Sequence, residues 1–217
     1  MEERKLDAQE SIELITRMIR NTRRRLEHNA GRPFLVWGYT TVAISLFNYL
    51  MRINGADPEW SLSWFLIPAL GVVLMRLFPA KKSTEPRTEI DRIVNALWLV
   101  CSLALIPIFV ICLFHGWLYR TSLFMMIALT MAIGTAATGL IVRSKVYAVS
   151  GLLGMALSTL FAFNDFAMKS RFASQAVPGQ EGFLALHNEI LIFAAIFVVM
   201  MIIPGHIINY QNRRETK

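Results

Sequence analysis

Apolar positions along this chain fall into long uninterrupted blocks separated by short polar stretches. Windows free of Asp, Glu, Lys and Arg run over 33–51, 60–75, 93–119, 121–142, 146–164 and 190–212. A helix that crosses a bilayer needs about 20 such residues, within a range of about 17–25. Five windows meet that length directly. The 60–75 window meets it when Arg76 snorkels and the helix runs on to Phe78. The pattern predicts an all-α polytopic membrane protein with six transmembrane helices. The spans are expected near 33–51, 60–78, 94–114, 121–142, 146–164 and 187–208, within a transmembrane domain covering 32–212.

Residues 1–31 follow a different pattern. Ile12, Ile15, Ile19, Thr22 and Leu26 recur at intervals of three and four, which places them on one stripe of a charged helix. Asp7 with Glu10 resembles a capping box, and Glu13 with Arg17 forms a favourable i, i+4 pair. Asn29, Gly31 and Pro33 predict the end of this amphipathic helix, with Gly31 suited to a left-handed C-terminal position.

Small residues mark a seam. Ala128, Ala132 and Ala136 repeat every four residues in the fourth span, and Ser150, Gly154, Ser158 and Ala162 do so in the fifth. Lipid offers helices no hydrophobic drive to associate, so close backbone approach must supply the contact. Only Arg143, Ser144 and Lys145 join the two spans, which predicts an antiparallel hairpin; a homodimer face is the other reading. Trp37, Tyr39, Trp60, Trp98, Trp117, Tyr119, Tyr147 and Tyr210 lie mostly near span ends, as a headgroup-level belt would. Pro68, Pro107 and Pro204 fall within spans and read as structural kinks ahead of gating hinges.

Composition sharpens this picture. Hydrophobic residues make up 55% of the 217 and charged residues 17%, against about half and about a quarter in soluble domains. The charge deficit disfavours a soluble enzyme, a nucleic-acid-binding domain and a secreted disulfide scaffold. The net charge of +7 is unevenly placed. Eighteen of the 22 basic residues fall in the N-terminal segment, the second and fourth loops and the tail. The positive-inside rule then predicts cytoplasmic termini on both sides of an even number of spans. Cys101 and Cys112, three turns apart in one span, are about 16 Å from each other and read as buried apolar residues. No cleavable signal peptide is visible, so the first span is expected to act as an uncleaved insertion signal.

Candidate chemistry is sparse. G-x-S-x-G, H-E-x-x-H, P-loop and dinucleotide fingerprints are absent from the sequence. His115, Asp165, His187 and Glu189 are expected near the outer ends of spans three, five and six, and could supply zinc ligands. His187 and Glu189 are roughly 200° apart on a helix, however, and Glu189 reads more simply as a solvated anion in the first turn of the sixth span. Catalytic, cofactor and metal residues are therefore assigned as none. No ionisable group is expected near a span centre, where proton- or ion-coupled transport would need one.

The residues with a distinct interaction signature are Ile12, Ile15, Ile19 and Leu26, with Arg17, Arg20, Arg23, Arg24 and Arg25. The apolar stripe must bury itself against an anionic leaflet, a second copy or another protein; alternatively, the arginine run only enforces topology. Interspersed Glu10, Glu13 and Glu27, and a stripe without Trp or Phe, favour a protein over lipid.

The stretch Glu13–Tyr39, ELITRMIRNTRRRLEHNAGRPFLVWGY, resembles the opening of a group of uncharacterised bacterial inner-membrane proteins. In that group a short charged helix precedes a PFL-x-WGY start to the first span. The resemblance covers about 27 residues, and the remainder is matched only by hydropathy. It implies a bacterial inner-membrane location and transfers no activity or site residues. The expected function is an interaction or regulatory membrane protein without nucleic-acid partners. A passive or neutral-solute transporter is the second expectation, and an intramembrane enzyme the third.

Overall fold

The computed structural model describes residues 8–55, 58–77, 89–114, 121–163 and 181–215. Every regular element among them is helical. Helix α1 (Ala8–Ile53) is followed by a 3-10 segment (Pro58–Phe65) and by α2 (Leu66–Leu77). Then come α3 (Glu89–Phe114), α4 (Thr121–Val142) and α5 (Lys145–Ser158). The chain closes with α6 (Glu181–Phe197), a π segment (Val198–Ile202) and α7 (Ile203–Glu215). Among the described residues five helices are long and apolar enough to cross a membrane: Gly31–Ile53, Glu89–Ile108, Leu123–Val142, Lys145–Phe163 and Asn188–Gln211. Leu62–Leu77 is apolar but shorter.

The expected break at Asn29–Pro33 does not occur. Helix α1 runs unbroken through Pro33 for 46 residues, about 69 Å at 1.5 Å per residue. Gly31 is not left-handed: among the described residues only Gly55 and Arg143 have positive φ. It serves packing instead, since a Cβ there would sit 3.0 Å from Asn209 Oδ1 and 3.5 Å from the Tyr147 hydroxyl. A packed neighbour on α7 thus replaces the terminating role that local sequence assigns to it.

The α4–α5 hairpin turns through Arg143 at φ 57. Ser144 N–H donates to Gly139 C=O at 2.8 Å and Arg143 N–H to Leu140 C=O at 3.2 Å. This paired closure satisfies carbonyls that a helix end would leave open. Beyond it the helices press together: a Cβ on Gly139 would collide with Ala148, and one on Gly151 with Ala136. In the last helix the π segment ends with Ile203 N–H donating to Val198 C=O. It ends two residues before Pro204, which lacks a donor and whose ring would crowd the carbonyl four residues back.

Two aromatic clusters fill the bundle. At the end holding Gly31 and the α4–α5 turn, Phe34 stacks on Tyr147 at 4.5 Å and meets Trp98 edge-on at 5.7 Å. Tyr147 is fully buried, so this member of the expected headgroup belt belongs to the core. At the opposite end Phe124 meets Trp64 at 5.3 Å, Phe193 at 5.1 Å and Phe161 at 6.3 Å. Phe193 also meets Trp64 at 6.0 Å and Phe197 at 4.7 Å. Helix α3 stands at the edge, with 6% of its span window buried against 50% for the last span.

Candidate functional sites

Of the four outer-end ligand candidates, His115 and Asp165 lie outside the described residues, and only the backbone of His187 is described. Among the described residues no group of three or more His, Cys, Asp or Glu could hold a metal ion. Glu189 is described, and it is not solvated: its exposure is 0%. Helix α6 begins at Glu181, so Glu189 lies in its third turn, away from the first-turn position expected of it. There it lies one turn before Phe193 on the same face. Taking a carboxylate out of water costs several kcal/mol unless its surroundings compensate.

Other polar groups share that end of the bundle. Asn48 and Ser63 are both buried. Ser63 Oγ donates to Asn48 Oδ1 at 2.9 Å, while Asn48 Nδ2 donates to Ile44 C=O at 2.9 Å. Helices α1 and α6–α7 run antiparallel, Gly38 facing Met201 and Ile202, and Gly205 facing Leu35. Continued at about 1.5 Å per residue, this register brings Glu189 level with the last turns of α1, where Asn48 sits. Proximity of Asn48 to a span end gave no warning of burial; its partner comes from a separate element and carries no local signal.

The small-residue stripes lie as follows. Ala128, Ala132, Ala136, Ser150, Gly154 and Ser158 are buried. A Cβ on Gly154 would stand 3.1 Å from the Ala132 Cβ and 3.0 Å from Met200 Sδ, so the last helix joins the seam. Ser150 and Ser158 hydroxyls donate within their own helix, to Tyr147 and Gly154 carbonyls. Ala162 departs from the stripe and is exposed. The reason is local: Thr159 N–H donates to Ala156 C=O and Ala162 N–H to Thr159 C=O, a tighter winding that turns Phe161 into the core. Cys101 is buried and faces Gly134, whose Cβ would lie 3.2 Å from its sulfur. Side-chain packing of Cys112 lies outside what is described.

The N-terminal interaction residues are helical in backbone from Ala8 onward. Ile12 is 65% exposed, and Thr16 Oγ1 donates to its carbonyl at 2.8 Å. The side chains of Ile15, Ile19, Leu26, Arg17, Arg20 and Arg23–Arg25 lie outside the described set.

Where α1 meets α7, sequence reading singled out no chemistry. Tyr39 and His206, 167 residues apart, share a 2.6 Å hydrogen bond between the phenol and Nε2 while both remain exposed. Arg214 lies 4.6 Å over the Tyr210 ring. Arg32 is partly buried, and its Nη2 is enclosed without a hydrogen-bond partner among the described residues. Arg32 precedes Tyr39 by seven residues, two turns along the same face of α1. Of these groups, Tyr39 and His206 are joined only by the pairing of distant helices, while Arg214 and Tyr210 are one turn apart on α7.

Comparison of the chain with protein-family models, with curated proteins and with solved structures finds no match, so the functional reading rests on this geometry alone.

Proposed function

We propose that this chain is a six-span protein of a bacterial inner membrane, with both termini in the cytoplasm. In this reading it acts as an interaction or regulatory protein through its N-terminal helix. The continuity of α1 is the observation that carries the proposal. Residues 8–30 extend the first span by about 34 Å within one continuous helix. An amphipathic helix that lies on a leaflet has to turn away from the bilayer normal where it leaves the span. A helix that continues its span, tilted by about 20° on average, carries its stripe away from the lipid within a turn or two. A protein surface or a second copy is then the sink for Ile12, Ile15, Ile19 and Leu26. The 3-10 segment and α2 together measure about 34 Å, enough for a second span.

The test uses the full-length protein in nanodiscs. A nitroxide at Ile12 should respond to an aqueous nickel quencher ahead of oxygen dissolved in lipid. Ile15→Asp should abolish association with the partner or second copy, while Arg24→Glu should change it little. Immersion of Ile12 in lipid, together with salt-sensitive docking on anionic vesicles, would overturn the reading.

Transport of a solute is a second reading, because Glu189 is buried at the end of the bundle that also holds the Asn48–Ser63 pair. An ionisable group at such a site is expensive, and its retention points to function. Under this reading proteoliposomes should show substrate-dependent flux that Glu189→Gln removes; equal flux in the variant would dismiss the residue.

A further inference from the structure

We propose that the α1–α7 groove at the basic end of the bundle binds the phosphodiester headgroup of an anionic membrane lipid, with Arg32 as its cation. This goes beyond the role proposed for the N-terminal helix and does not depend on it.

Arg32 stands one residue inside the first span, which begins at Gly31, and the last span ends opposite it at Gln211. That is headgroup depth. Its Nη2 is enclosed and has no acceptor among the described residues, while the side chain as a whole is only partly buried. Rotation toward its exposed side would bring that nitrogen to a ligand in the groove. A buried guanidinium nitrogen without an acceptor is costly, and a phosphate oxygen is the acceptor its fork matches best. Basic pockets between membrane helices on the cytoplasmic side are a recurring way of holding such headgroups.

Deeper in the groove, Tyr39 lies seven residues along the same face, about 10 Å further in. It shares a 2.6 Å bond with His206 Nε2, and the imidazole tautomer decides which partner donates. When the phenol donates to Nε2, the imidazole proton sits on Nδ1, which then offers a donor at the depth of an acyl ester carbonyl. Below that, Leu46, Leu50 and Ile203 are exposed apolar side chains against which an acyl chain can lie. The groove therefore presents cation, hydrogen-bond donor and apolar wall in the order in which a phospholipid presents phosphate, ester and chain. Glu215, the one carboxylate on α7, stands nine residues beyond His206, about 13 Å away along the axis.

The experiment titrates delipidated full-length protein in detergent with phosphatidylglycerol, phosphatidylcholine or inorganic phosphate. Bound lipid is read by native mass spectrometry and the thermal midpoint is followed in parallel. The wild type should retain phosphatidylglycerol in preference to phosphatidylcholine and gain stability from it. Arg32→Gln should weaken that retention about tenfold, the loss of one desolvated cation–phosphate pair. His206→Gln, at an exposed position that folding tolerates, should weaken it several-fold. Lys145→Gln, which removes an exposed charge at the same end, should change little. Phosphatidylglycerol retained equally by either groove variant would overturn the site, as would an equal loss in Lys145→Gln. Inorganic phosphate stabilising the protein as well as the lipid does would overturn the lipid assignment. Should Arg32→Gln fail to fold, His206→Gln decides alone.

Discussion

Gly55 and Gly151 carry the same side chain for opposite reasons. Gly55 has φ 71, and a Cβ there would meet nothing within 4 Å, so its constraint is the backbone angle alone. Gly151 has ordinary helical geometry and faces Ala136 too closely for any Cβ. Gly55→Ala should therefore cost about 1 kcal/mol, the left-handed penalty, and leave packing unchanged. Gly151→Ala must push α4 and α5 apart and should cost about 1–3 kcal/mol as an overpacking change. Gly154→Leu belongs with the second class, because Ala132 and Met200 both stand in the way. Thermal midpoints in detergent separate the cases. An unshifted Gly151→Ala would contradict the close approach.

At the scale of the element, the continuity of α1 makes a distance prediction. With Cys101 and Cys112 replaced, spin labels at Ile12 and Ala43 should lie about 46 Å apart if the helix is straight. A right-angled bend at Gly31–Pro33 would bring them to about 34 Å. The shorter distance would restore the break that local sequence predicts. Helical blocks were legible because a charge-free run of twenty residues has few other uses. What escaped sequence reading depends on partners distant in the chain. Gly31 reads as a terminator until Asn209 packs on it, and Glu189 reads as a solvated first-turn anion until α6 is seen to start at Glu181. Ala162 fits its four-residue stripe until Thr159 tightens the winding and rotates it outward. Tyr39 and Tyr147 share the look of boundary aromatics, yet one faces out and the other fills the core.

For the whole molecule, charge placement predicts sidedness. Cysteine introduced at Ser83 or Gln211 should be shielded from an impermeant thiol reagent in intact cells, and cysteine at Ser174 should be labelled. Labelling at Ser83 from outside would overturn the proposed orientation. The α1–α7 groove was not legible in the sequence, because its two walls are separated by nearly the whole chain.

That separation has a consequence for assembly. The α4–α5 seam joins neighbours in sequence through a three-residue link, so it can close as soon as both helices have left the ribosome. Helix α1 is made first but acquires Met201, Gly205, His206 and Asn209 as neighbours only when the last span arrives. Until then the base of α1 is held through earlier neighbours such as Trp98 and Tyr147, which pack on Phe34, and lacks only its contacts with α7. A chain truncated before the last span would present the N-terminal arm on a base clamped from one side, so a partner that reads its direction would engage finished molecules best. The last helix to be made thus certifies the first.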